Sequence, residues 1–413
     1  MIIDSKKYNG LCSCGKEHKM TTEACFIERG VLLKINTYLE QYNLRGYSVA
    51  IYDENTYRAT SGMHPNVTKE IILDPKSLHA DNYGVALAME QIPEACDYMI
   101  AVGSGTVHDI TRYCAYTKGI PFVSCPTAAS VDGFCSSVAA MTWNGFKKTF
   151  TAVAPKIVVA DLNVISKAPM FLTKSGFGDM IGKFIALADW KIAHALTDEY
   201  FCPVIHDITL NATQAVIESA ESIKNGDITA YEKLIFGLLM SGLAMQLLGN
   251  SRCASGDEHQ ISHLIEMQPD GLNLRSAALH GEKVGVGTLL ASAEYHTIKS
   301  NRSIQWTQYP DIDNKTIKAI FGEKLWESIL AENSINCASG ISEKRLCAHW
   351  KEICKIIDTI PTHDELLDKY KMIGAKASLS DINVDEDKLS VLLEYSPLVR
   401  NRLTLMRLRK CIV

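Results

Sequence analysis

Three side chains of metal-ligating type punctuate the middle of this 413-residue sequence. Asp179 stands in Gly176-Phe177-Gly178-Asp179, His259 opens His259-Gln260-Ile261-Ser262-His263, and His280 stands in Leu279-His280-Gly281-Glu282-Lys283. One carboxylate and two imidazoles hold a divalent cation and leave coordination positions open, which a catalytic metal needs and a structural one avoids. Upstream, the turn Gly103-Ser104-Gly105-Thr106-Val107 follows the apolar run Tyr98 to Val102. Glycines there allow close backbone approach, and the free N–H groups of a helix start attract a pyrophosphate. Together the two features point to a metal-assisted enzyme with a nucleotide cofactor.

Each feature also has a plainer reading. Asp179, between a Gly-Phe-Gly run and a helical pattern, reads as a helix N-cap. His259 and His263 are four apart and share a helix face, as two packed histidines would. The phosphate turn lacks the third glycine of a dinucleotide fingerprint, since His108 takes its place. It also lacks the acid expected about 20 residues on, where Phe122-Val123-Ser124 stands. Asp53, closing Val49-Ala50-Ile51-Tyr52, is an upstream acid that reads equally as a ribose ligand or as a turn residue. Thr127-Ala128-Ala129-Ser130-Val131-Asp132-Gly133 offers small hydroxyl groups at a strand end, and Asp132 is either a substrate acceptor or an Asx turn.

The elements that must position these residues change character near residue 175. Before it, the runs Glu23 to Ile27, Ser48 to Tyr52, Glu70 to Leu73, Tyr98 to Val102, Pro121 to Cys125 and Lys156 to Ala160 read as strands. Helical patterns such as Val31 to Tyr42 and Tyr83 to Gln91 fall between them, the alternation of a parallel sheet. After it the pattern is helical: Asp179 to Leu196, Pro203 to Asn225, a helix capped by Asp227 and closed by Gly249, Ser342 to Ile357 and Glu365 to Met372. The expectation is a Rossmann-like α/β nucleotide-binding domain over residues 1–175. An all-helical metal- and substrate-binding domain over 176–413 follows, with the active site in the cleft between them.

Composition excludes several classes. A formal charge of −5 gives no electrostatic footprint for nucleic acid. The basic run from Arg400 to Lys410 reads as a solvated helix end rather than a binding tail. No apolar leader opens the sequence, and Leu234 to Gly249, broken by Gly237, Ser241, Gly242 and Gln246, reads as a buried core helix rather than a membrane insertion. The expected location is the cytoplasm, where thirteen cysteines without framework spacing remain thiols. Cys12-Ser13-Cys14-Gly15-Lys16-Glu17-His18 has the look of half a zinc knuckle; with no second pair at a suitable spacing, it reads as loop or strand cysteines.

Several blocks, in order over about residues 20 to 295, resemble the sn-glycerol-1-phosphate dehydrogenase family, in the iron-alcohol-dehydrogenase and dehydroquinate-synthase-like superfamily. They are Gly103 to Asp109, Thr127 to Gly133, Gly176 to Lys183, Ser255 to His263 and Leu279 to Gly285. The resemblance is to the bacterial branch, which has a long helical C-terminus. It implies that Asp179, His259 and His280 bind a divalent metal, zinc with nickel or iron as alternatives. It implies that Gly103, Ser104, Gly105, Thr106, Val107, Thr127, Ala128, Ala129, Ser130 and Ser136 contact NAD or NADP, with Asp53 on the ribose. Asp132 and His263 would hold a small phosphorylated substrate, with Asp179 beside it and Asp179 and His263 catalytic. The implied reaction interconverts sn-glycerol 1-phosphate and dihydroxyacetone phosphate in a homo-oligomer, dimer or larger. Lys183 and Lys283 are candidate cations for the substrate phosphate. One departure stands out: Gly256-Asp257-Glu258 places an extra carboxylate beside the histidine motif, where a small residue is expected. Rival readings are a glycerol dehydrogenase acting on an unphosphorylated polyol, a dehydroquinate-synthase-like lyase, whose branch prefers Glu as first ligand, and a non-catalytic nucleotide-binding protein.

Overall fold

The computed structural model describes residues 1–412 apart from 145, 301–306, 308 and 311. Among the described residues there are eleven strands: β1 (Ile2–Asp4), β2 (Gly10–Leu11), β3 (Glu17–His18), β4 (Ala24–Glu28), β5 (Ser48–Asp53), β6 (Lys69–Leu73), β7 (Tyr98–Gly103), β8 (Phe122–Pro126), β9 (Val138–Trp143), β10 (Phe146–Thr151) and β11 (Ile157–Asp161). Seven form one sheet in the order β1-β4-β11-β8-β7-β5-β6, while β2–β3 and β9–β10 are separate hairpins. β1 is antiparallel to β4 and every other pairing in the large sheet is parallel.

The chain divides into two compact units. The first comprises Met1–Gly176 with Ser222–Asn250, and the second Phe177–Glu221 with Ser251–Val413. In the first unit the side-chain period of two sorts the strands into two cores. Val49, Ile51, Met99 and Ala101 pack into one core with Val107, Ile110 and Val85 from the helices Gly105–Lys118 and Asn82–Met89. Ala50, Tyr52, Ile100 and Val102 pack into the other with Val31, Leu32, Ile35 and Leu39. Strands buried on both faces read as continuous apolar runs, which is why they stand out in the sequence. The helix Ile228–Leu248, capped by the Asp227 carboxylate on Thr229 N–H at 2.8 Å, belongs to this unit although chain order places it among the helices. Among the described residues it alone is long and apolar enough to cross a membrane, and two-thirds of its apolar window is buried.

The second unit is helical, with Lys183–Thr197, Pro203–Glu218, Asp257–Met267, His280–Ser300, Glu343–Ile357 and His363–Ile373 as its longer members. Its C-terminal segment corrects the expectation of a solvated basic end. Arg407 is fully buried, giving hydrogen bonds to Asn333 Oδ1 and to the Pro397 carbonyl. Arg402 donates to Ser251 Oγ at 2.9 Å, and burial lowers its pKa to about 10. The intervening Leu405, Met406 and Leu408 are apolar and buried, so the segment folds inward and its guanidinium groups serve backbone and side-chain acceptors.

Candidate active site

In the first unit, the chain runs β5→β6 toward one sheet edge and then β7→β8→β11 toward the other, so β5 and β7 flank a topological switch point. Ligands of such sheets bind beyond the C-terminal strand ends there. Ile51 pairs with Ala101, and two residues later these neighbours end at Asp53 and Gly103. A Cβ on Gly103 would lie 2.6 Å from Val107 Cβ, so only glycine lets the strand turn this sharply into the helix Gly105–Lys118. Ser104 precedes that 14-residue helix without a side-chain cap bond, leaving the N–H groups of Gly105, Thr106 and Val107 for an anion. Thr127 N–H donates to the Gly103 carbonyl at 3.0 Å and joins the next loop to the turn. In that loop Thr127, Ala128, Ala129 and Ser130 are buried, and the Ser130 hydroxyl has no protein partner.

His108 explains the missing third glycine. It is fully buried, its Nδ1 lies 2.9 Å from the Ser104 carbonyl and its Nε2 2.9 Å from Ser124 Oγ. The carbonyl fixes the proton on Nδ1, and burial lowers the pKa to about 3, so a neutral imidazole pins the turn. Asp53 caps the helix Glu54–Ala59, its Oδ1 accepting from Asn55 and Thr56 N–H at 2.8 and 2.9 Å. Ser136 shares two local bonds with Val138, at 2.9 and 3.0 Å. Asp132 is buried and accepts from Ser241 Oγ at 2.8 Å. That approach depends on Gly242, where a Cβ would meet the Asp132 carbonyl at 2.8 Å.

In the second unit, glycines bring three helices close enough for Asp179, His259 and His280 to meet. A Cβ on Gly178 would lie 2.3 Å from the Gly281 carbonyl, and one on Gly287 would lie 2.5 Å from the Glu258 carbonyl. Asp179 therefore sits inside the helix Met170–Ile181, not at an N-terminus, and the plain N-cap reading fails. The glycines around it serve helix approach rather than a turn. Ligand atoms of Asp179, His259 and His280 lie within 4.8 Å of one another, with His259 Nε2 3.6 Å from Asp179 Oδ1.

The surrounding groups set tautomers and charge. Glu258 Oε1 takes His259 Nδ1 at 2.6 Å, and Glu266 Oε1 takes His280 Nδ1 at 2.9 Å, so each imidazole, once neutral, carries its lone pair on Nε2. Lys183 Nζ donates to Asp179 Oδ1 at 2.8 Å. Burial opposes ionisation of Asp179, but Lys183, His259 and His280 hold its pKa well below the usual range. Burial and Lys183 pull His259 down, yet its bonds to Asp179 and Glu258 prevail and raise it to about 9. Burial lowers the His263 pKa well below normal, so that imidazole is neutral. Its ring centroid is 5.8 Å from those of both His259 and His280. Behind these side chains, Asp189 accepts from Asp257 N–H, Tyr295 OH and Leu405 N–H at 3.0, 2.8 and 2.8 Å.

A sequence model described as iron-containing alcohol dehydrogenase matches residues 26–169. The glycerol-1-phosphate dehydrogenase, NAD(P)+-dependent by name, of Bacillus licheniformis is 32% identical over 415 residues, covering 98% of this chain and 93% of that one. The enzyme of the same name from Halalkalibacterium halodurans is 32% identical over 420 residues, covering 98% and 97%. This chain belongs to the glycerol-1-phosphate dehydrogenase family. The fold is shared more widely: a probable glycerol dehydrogenase from Sinorhizobium meliloti superposes with a TM-score of 0.62 at 16% identity, covering 94% of this chain and 96% of that one.

In this member of the glycerol-1-phosphate dehydrogenase family, the two candidate cations for a substrate phosphate both face carboxylates of this cluster. Lys183 is fully buried on Asp179, and Lys283 Nζ lies 3.8 Å from Glu266, the carboxylate that orients His280. Glu266 escaped the sequence reading because it lies seven residues from His259 and fourteen from His280, in no motif with either. Glu258, by contrast, was visible as an unexpected acid, and its bond to His259 gives that departure a purpose.

Proposed function

We propose that this chain is a metal-dependent oxidoreductase that interconverts sn-glycerol 1-phosphate and dihydroxyacetone phosphate with NAD or NADP. The observation that carries the reading is the convergence of Asp179, His259 and His280, each imidazole held by a buried or half-buried carboxylate in the tautomer a metal requires. Near-full-length similarity to relatives named for this reaction supports the substrate.

In this reading Gly103 to Val107 receive the cofactor pyrophosphate, Asp53 bonds its ribose, and Thr127 to Ser130 with Ser136 complete the contact. The Ser130 hydroxyl, buried without a protein partner, fits a ligand acceptor. Asp179, His259 and His280 would hold a divalent cation that would supply Lewis acidity to the alcohol oxygen, and the nicotinamide would supply the hydride acceptor. Lys183 keeps Asp179 ionised for its role as ligand. Neutral His263 accepts the hydrogen bond of the substrate hydroxyl and passes its proton on, because a depressed pKa does not retain it near pH 7. Asp132, oriented by Ser241, accepts from a second hydroxyl.

A panel of dihydroxyacetone phosphate, dihydroxyacetone and glycerol, each with both cofactors, tests this. Expected is turnover of the phosphorylated ketone, abolished by exhaustive chelation. Turnover confined to the unphosphorylated compounds overturns the substrate, and full activity in metal-free protein overturns the mechanism.

A further inference from the structure

The N-terminal hairpin gathers soft donors that the oxidoreductase chemistry does not use. β2 and β3 pair Gly10 with His18 and Leu11 with Glu17. The turn between them closes through Cys12 N–H to the Lys16 carbonyl and Gly15 N–H to the Cys12 carbonyl, both at 2.9 Å. Gly15 sits at φ +86°, a backbone state that other residues reach only with strain. In this turn the ligand atoms of Cys12, Cys14 and His18 lie within 4.8 Å of one another, with Cys14 Sγ 3.3 Å from His18 Nε2.

His18 is buried, and its Nδ1 lies 2.8 Å from the carbonyl oxygen of Leu247 on the helix Ile228–Leu248. A carbonyl only accepts, so Nδ1 carries the proton and Nε2 turns its lone pair toward the thiols. An imidazole fixed in this way by a backbone carbonyl is the usual arrangement of a metal-ligating histidine. A simple S–H···N bond accounts for Cys14 beside His18, but it does not call for a second thiol in the same cluster. All thirteen cysteines are present as thiols, so both remain able to ionise onto a metal.

We propose that Cys12, Cys14 and His18 bind a structural zinc ion, in addition to the metal held by Asp179, His259 and His280. Two thiolates and an imidazole suit zinc over the hard cations magnesium and calcium. Binding displaces one proton from each thiol and leaves His18 neutral. A structural zinc is four-coordinate, so a further side chain or a water completes the set. The ion ties the hairpin to the long helix, since His18 is held by Leu247. Gln246 reinforces the tie by accepting from Thr21 and Thr22 N–H at 2.9 and 3.1 Å.

Cobalt(II) loading of the full-length, chelator-stripped protein tests this, because only thiolate ligation gives an intense near-ultraviolet charge-transfer band. The band is expected in the native sequence and in Asp179→Asn, and absent from Cys12→Ser/Cys14→Ser, which also binds one zinc fewer per chain. The Asp179→Asn arm separates failure here from failure of the proposed function. No band in the native protein, or a band that survives the double substitution, overturns the site. Alkylation mapped by mass spectrometry needs no variant: zinc should protect Cys12 and Cys14, and equal labelling with and without zinc overturns the proposal. Serine replacement of each remaining cysteine in turn identifies any further thiolate.

Discussion

Glu258→Gln removes a buried charge beside a proposed metal ligand while keeping shape and an acceptor. Glu258 Oε1 takes His259 Nδ1 at 2.6 Å and Gly256 N–H at 2.9 Å, bonds a glutamine amide oxygen also accepts. Two effects then run in opposite directions. Weakening the orienting partner of a ligand histidine costs about tenfold in metal affinity, the lower end of what such losses produce. Removing the charge also lowers the His259 pKa from about 9, and that proton competes with the metal. At pH 7 the competition amounts to a factor of about 10^(9−7), roughly 100-fold or about 2.7 kcal/mol at 1.36 kcal/mol per unit. A fall of about one unit in the pKa relieves about tenfold of this and offsets the loss at pH 7. Above the native pKa of about 9 no proton remains to compete, and the whole deficit shows. The expected result is near-equal zinc affinity at pH 7 and a deficit that grows to about tenfold once the pH exceeds about 9. Calorimetric titration of chelator-stripped protein, with zinc buffered by a competing chelator, measures both. A deficit of constant size across this range, or no proton release on binding at pH 7, refutes the reasoning. The same proton affects stability. The folded pKa of about 9 exceeds the ordinary 6.5, so its contribution to the metal-free fold is complete below pH 6.5 and is lost as pH rises through about 9.

Gly103→Ala should weaken cofactor binding at least about tenfold and lower stability by about 1–3 kcal/mol, because the new Cβ meets the branched Val107 side chain at 2.6 Å; fluorescence titration and melting curves check both. Asp53→Asn should keep its helix cap and narrow the preference between NAD and NADP, whereas Asp53→Ala should lose about 1 kcal/mol as well. A cofactor ratio unchanged in both variants would show Asp53 to be a cap alone. His259→Ala should lose metal together with activity, while His263→Ala should keep the metal and turn over slowly; metal content and kinetics on the same folded samples decide. Should His263→Ala lose the metal and His259→Ala keep it, the two assignments are reversed.

What the sequence disclosed follows from how far apart the cooperating residues lie. The six expected strands, Glu23 to Ala160, match β4, β5, β6, β7, β8 and β11 because double-sided burial writes itself as runs such as Met99-Ile100-Ala101-Val102. The β9–β10 hairpin escaped notice, since Val138-Ala139-Ala140-Met141 carries little alternation. The span from Asp179 to Leu196 reads as one periodic helix but breaks at Gly182, where a Cβ would strike Val284 Cγ1 at 2.8 Å. Asp179, His259 and His280 were legible as types, while their convergence rests on glycine contacts such as Gly178 on Gly281, between helices far apart in the chain and beyond any local pattern. His108 was legible only as a defect in a glycine motif. Its bonds to Ser104 and Ser124 could not be read, because the second partner lies a strand away.

The three bonds on Asp189 give the site a timetable. Residues 179 to 280 hold all three ligands proposed for the catalytic metal, yet the carboxylate that anchors the start of the helix carrying His259 also accepts the N–H of Leu405. During synthesis all the ligands emerge from the ribosome more than a hundred residues before that last anchor does. In the complete fold burial raises the Asp189 pKa to about 7, and the Leu405 N–H is one of the donors that favour its charged form. The proposed centre is therefore expected to load metal only at the end of translation, and a chain shortened before residue 405 is expected to lose metal although Asp179, His259 and His280 all remain.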